Sequence, residues 1–184
     1  MSTAALEQAI TATRGVLAGV KKDQLDADTP CASWKVRDLV NHIVGGQYFF
    51  VAMCEGKPPA EGGDYATGDF VAAFDEGSTK CVAAFNGDGV MEKILTLPFG
   101  QMPGSAFVGI AATDTFTHGW DLAKATGQST DLAPELAGGL LAGAKQFISD
   151  GIRGPEPMPF AAEQAAPAGA STADQLAAFL GRSV

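Results

Sequence analysis

Val36, Leu39, Val40, Ile43, Val44 and Val51 crowd one helical segment, a pattern that predicts a central, largely buried helix. An apolar face this dense has to be covered by other elements. The rest of the chain offers them. Residues 2–20 repeat Leu6, Ile10, Val16, Leu17 and Val20 near a 3.6-residue period, with Ala9 and Ala12 between. Asp69 suits the N-cap of a helix reaching about Phe85, with Phe70, Phe74, Val82 and Phe85 as core. A further helix spans 105–126 and stops at Gly127. Pro134 fits the first position of another, which reaches about Ser149, and 171–180 closes the chain with Leu176, Phe179 and Leu180.

Gly and Pro divide these segments. Residues 21–30 are polar and end at Pro30, and residues 55–68 read EGKPPAEGGDYATG, a loop long enough to serve as a lid or cavity wall. Ile94, Leu95 and Leu97 ahead of Pro98 and Gly100 predict a short hairpin within 91–103. Residues 151–170 should meander over the surface. The expectation is a single, mainly all-α domain over residues 1–184. It is an up-and-down four-helix bundle with a short hairpin excursion and a small C-terminal helix.

A length of 184 residues suits one substantial core. The formal net charge of −9 repels polyanions, and Lys21–Lys22 is the only adjacent basic pair. Nucleic acid and anionic membrane surfaces are therefore not expected partners. No apolar run approaches the roughly 20 residues that span a bilayer. The opening MSTAALEQAITATRG lacks a basic stretch followed by an apolar block, so a cytoplasmic location is expected. Cys31, Cys54 and Cys81 lie far apart without a CxxC pair and read as free thiols in a reducing compartment.

Histidine usage carries the chemistry. The chain has two, His42 and His118, each inside a mostly apolar helical segment. In DTFTH, Asp114 stands four residues before His118, a spacing that puts both side chains on one helix face with Cβ atoms about 5–6 Å apart. Two such ligands reach one ion without distorting the backbone, as the paired histidines of HExxH do. His42 from a neighbouring helix completes a three-ligand site with coordination positions left open. The plain alternative is an ion pair worth about 0.2–0.5 kcal/mol when exposed. Asp38 also precedes His42 by four residues but sits at a helix start, where a carboxylate stabilises the dipole.

Neighbouring residues give weaker clues. Asp121, three after His118, can accept from the second ring nitrogen and orient a metal-bound imidazole, or else be a solvated residue or a partner for Lys124. Gly45, Gly46 and Gly119 sit mid-helix at a cost of about 1 kcal/mol each, which calls for close packing or space beside an ion. Trp34 and Trp120 read as core or wall. Tyr48, Phe49 and Phe50 are mainly core, with Phe49 a candidate pocket wall beside Gly45, Gly46 and Trp120.

TPCASWKVRDLVNHIVGG, followed much later by DTFTHGWDLAKATG, resembles the DinB-like group that contains the metal-binding domain of mycothiol-dependent maleylpyruvate isomerase. The resemblance is closer to that group's short, single-domain members, and it extends over LPFGQMPGSAF and AFLGR. It implies a four-helix bundle holding a metal by His42, Asp114 and His118, the set reached above from spacing. It also implies a low-molecular-weight thiol cosubstrate, with mycothiol the example, for isomerisation or thiol transfer. Two departures stand out. The isomerase has Glu where this chain has Asp114, and it carries a C-terminal domain that this chain lacks.

The leading expectation is thus a metal-dependent thiol transferase or isomerase. One divalent ion would activate the thiol toward an electrophilic small-molecule substrate. No catalytic residue beyond the metal ligands is identified. The alternatives are a hydrolase using metal-bound water and a non-enzymatic metal- or small-ligand-binding module. Zinc is the default for this donor set, with nickel, iron and manganese allowed, and a homodimer is left open.

Overall fold

The computed structural model describes residues 2–31, 33–59, 62–155, 158 and 160–184. Six helices and one hairpin organise them: α1 (Ala4–Ala18), α2 (Val36–Glu55), α3 (Phe70–Phe85), β1 (Ile94–Leu97), β2 (Gly100–Pro103), α4 (Gly104–Thr126), α5 (Pro134–Phe147) and α6 (Thr172–Phe179). Local chemistry sets the ends. Asp38 accepts from the Lys35 amide at 2.9 Å and starts α2, while Gly56 ends it with φ 68°. Asp69 accepts from the Ala72 amide at 3.0 Å, and Ser171 from that of Asp174 at 3.1 Å. These side chains satisfy amides that the first helical turn leaves without carbonyl partners.

The four long helices form a bundle in which α4 touches α1 and α2, and α3 closes the ring between α2 and α1. The α5–α6 pair packs beside α1 and α4. The helix expected to be central, α2, shares that place with α4, which has no exposed residue from Ala111 to Ala123. The expected all-α bundle with its hairpin is present. Among the described residues no helix is long and apolar enough to cross a membrane.

Helix directions differ from strict up-and-down alternation. Asn41 accepts from the Ala66 amide, Tyr48 donates to the Ala73 carbonyl, and Phe50 and Phe85 both contact the Phe107 ring. Numbers rise together along both helices, so α2 and α3 run parallel. The physical reason is the connection between them. A helix of 20 residues is about 30 Å long, and the loop after it is long enough to carry the chain back to the starting end. The length of the 55–68 segment is therefore a topological need first. Its residues 60 and 61, like Ala32 in the CASW turn, lie outside the described residues.

Candidate metal centre

Antiparallel packing of α2 on α4 brings the two histidine segments together. Phe50 meets Phe107 edge-on at 5.6 Å. Toward the other end of the same contact, His42 faces Asp114 and His118 from across the groove. His42 Nε2 and His118 Nε2 each lie 3.6 Å from Asp114 Oδ1. The two imidazole rings are 4.5 Å apart, nearly perpendicular. All three donor atoms fall within 4.8 Å of one another.

A separation of 3.6 Å is too long for a hydrogen bond. His42 Nε2 is buried and has no hydrogen-bond partner among the described residues. Buried polar atoms rarely stay unpaired, so an orphan facing a carboxylate and a second imidazole calls for something between them. One ion about 2.0–2.2 Å from each donor spans such distances, and two imidazoles with a carboxylate suit a divalent transition metal. The residues fit the group. Side-chain exposures of 13% for His118, 30% for Asp114 and 35% for His42 put the three at the edge of the core.

Trp34 forms the roof, its ring 4.6 Å from His42 and 5.5 Å from His118. Behind His118 the arrangement is denser. Its Nδ1 lies 3.0 Å from Asp121 Oδ2, and Asp121 is fully buried. Arg182 grips the same carboxylate with two donors, Nε to Oδ1 at 3.2 Å and Nη2 to Oδ2 at 3.0 Å. Cys31 Sγ donates to Oδ2 at 3.4 Å. Cys31, His118 and Asp121 thus form a second triad with donors inside 4.8 Å. Both oxygens of its carboxylate are already engaged.

Burial alone would lower the His118 pKa. The Asp121 hydrogen bond, with help from Cys31 and the charges of Asp114 and Asp121, overrides it and pushes the value up to about 10. Burial opposes ionisation of Asp114, yet His42, the charge of His118 and more distant Arg182 hold its carboxyl below the usual range. Asp121 is likewise held low against burial, by His118 and Arg182. Burial pushes the Cys54 thiol up to about 11 and raises that of Cys81 as well.

Each residue expected at the site can now be placed. His42, Asp114 and His118 converge. Asp121 pairs with His118 and not with Lys124, whose ammonium lies 6.0 Å over the Trp120 ring. Trp120 is no pocket wall. It is 1% exposed and donates to Asp174 at 2.8 Å, tying α4 to α6, because a residue two beyond His118 points to the far side of the helix. Phe49 lies about two turns along α2 from His42 and packs edge-on against Phe107 within the aromatic core.

The glycines divide in two. A Cβ on Gly119 would sit 2.3 Å from Thr13 Oγ1, so close packing of α1 on α4 requires that glycine. A Cβ on Gly46 would meet Asp114 Oδ2 at 3.8 Å, and one on Gly45 would meet Tyr65 at 3.8 Å, both ordinary contacts. The end of the 55–68 loop does reach this part of the molecule, with Asp64 and Ala66 hydrogen-bonded to Asn41, next to His42. Two participants escaped the sequence reading. Cys31 enters from a loop. Arg182 enters from the chain end, where Gly181 after an apolar run was the one signal of a sharp turn.

The family model described as "Mycothiol maleylpyruvate isomerase N-terminal domain" matches residues 6–123. Two uncharacterized proteins of Mycobacterium tuberculosis, from strains CDC 1551 and H37Rv, are each 43% identical over 180 residues. Each match covers 97% of this chain and 96% of the relative. No solved structure matches.

Proposed function

The chain belongs to the mycothiol maleylpyruvate isomerase N-terminal domain family, and from that premise we propose that it is a metal-dependent enzyme that transfers or isomerises by way of a low-molecular-weight thiol. The observation that carries this reading is the unpartnered, buried His42 Nε2 turned toward Asp114 and His118. Those three side chains would hold one divalent ion, with zinc first and nickel, iron or manganese compatible with the same donors. When bound, the ion would supply Lewis acidity that favours the thiolate form of a thiol at its open side.

The chain's own residues do the rest. Asp121 holds the His118 ring so that Nε2 faces the groove. Trp34 covers both imidazoles and keeps bulk water from one flank. The thiol, mycothiol by family, and an electrophilic small molecule would meet at the solvent-facing side. A hydrolase needs a spare carboxylate base beside the ion. Asp121 is committed to His118 and Arg182, and Asp38 to the start of α2, so neither supports that reading.

The test is thiol consumption in the presence of an electrophile panel, with and without chelator. Chelation should abolish turnover, zinc should restore it, and His42→Ala should be inactive in both. Turnover indifferent to chelator would overturn the proposal. Stoichiometric metal with no turnover on any thiol would leave a binding module instead.

A further inference from the structure

Arg182 lies beyond the span that the family model matches, which ends at residue 123. It nevertheless reaches the back of the metal centre. The turn that delivers it is specialised. Gly181 adopts φ 94°, and a Cβ there would stand 2.9 Å from the Ala161 backbone, so both conformation and space demand glycine. The Gly181 amide bonds to the Ala178 carbonyl and that of Arg182 to the Ala177 carbonyl, both at 3.0 Å, closing the end of α6.

The guanidinium that results is itself largely buried, 15% exposed, against a carboxylate that is fully buried. Its fork matches the Asp121 carboxylate at both oxygens, and Nη1 donates to the Leu180 carbonyl at 3.2 Å. A buried carboxylate needs a partner for its charge, and one held in a fork cannot rotate. Asp121 in turn fixes His118, leaving Nε2 as the nitrogen that faces His42 and Asp114.

We infer that Arg182 is a positioning residue for the metal centre, acting through Asp121 on His118 and thereby coupling the C-terminal turn to ion binding. The inference rests on the metal reading above. Its sign separates it from simple electrostatics. Removing a cation near a cation site raises metal affinity if charge is all that matters, whereas loss of positioning lowers it.

The experiment titrates cobalt(II) into the full chain and into Arg182→Met, Arg182→Lys, Asp121→Asn and Asp121→Asn/Arg182→Met, read by visible absorption and chelator competition. Thermal unfolding of each metal-free variant establishes the folded fraction. Arg182→Met should bind cobalt about tenfold more weakly per folded molecule. Arg182→Lys should recover part of the loss, and Arg182→Met should add nothing in the Asp121→Asn background. Affinity that is unchanged or raised in Arg182→Met, or an undiminished effect in the Asp121→Asn background, would overturn the inference. Should the parent bind no cobalt, the metal reading itself fails. The positioning is then read from the ¹⁵N shifts of His118: a tautomer that changes in Arg182→Met sustains it, and one that does not refutes it.

Discussion

The two nitrogens of His118 face two clusters of metal-ligating side chains, and the clusters behave oppositely. On the Nε2 side, His42 and His118 each stand 3.6 Å from Asp114, and the His42 nitrogen has no hydrogen-bond partner among the described residues. On the Nδ1 side, Asp121 receives the ring, the Arg182 fork and the Cys31 thiol at 3.0–3.4 Å. Residue type and proximity alone make both candidates for a metal ion. What separates them is whether their donors are already satisfied. An ion entering the second cluster would have to displace Arg182 from a buried carboxylate, leaving charges unpaired at a cost of several kcal/mol. The first cluster asks for no such loss.

Substitutions on either side sharpen that contrast. His118→Ala belongs to both clusters and should lower metal affinity more than about 100-fold, since it removes a ligand outright. Elemental analysis of the purified variant against the parent reads this directly, and equal metal content would contradict it. Asp121→Asn touches only the second side and should cost about 10–100-fold, through orientation.

The glycines extend the comparison to packing. Gly119→Ala should destabilise by about 1–3 kcal/mol, because its Cβ meets Thr13 Oγ1 and that hydroxyl is bonded to the Thr115 carbonyl. Gly46→Ala should be neutral or stabilising by up to about 1 kcal/mol and leave metal affinity unchanged. Urea denaturation separates the two, and a reversed order would break the packing account. The smallest effect concerns thiols. Cys31 should label with a disulfide reagent in the native protein, while Cys54 and Cys81 stay protected until denaturant is added. Saturating zinc should leave Cys31 labelling unchanged if the ion sits on the Nε2 side, and should suppress it otherwise.

Much of this was legible in the sequence, and the limits have physical causes. The Asp114–His118 spacing specifies a shared face because the helix period is local information. The dense apolar face of α2 demanded neighbours, and Asp69, Gly127 and Ser171 marked helix ends. Contacts made from loops and chain ends follow no such period. Cys31 and Arg182 reach Asp121 across 90 and 61 positions, and only the fold brings them there. The parallel run of α2 and α3 was hidden for a related reason. Loop length permits a return of the chain, but the side contacts of Asn41 and Tyr48 decide it. Trp120 misled because closeness in sequence to His118 is not closeness on the helix surface.

In the proposed arrangement an ion lies on the Nε2 side of His118, held by His42 and Asp114. X-ray absorption at the zinc edge of the zinc-loaded protein tests it most directly. The predicted spectrum has nitrogen and oxygen neighbours alone, at about 2.0–2.1 Å, with imidazole scattering from two rings. A sulfur neighbour at about 2.3 Å would move the ion to Cys31 and contradict the assignment.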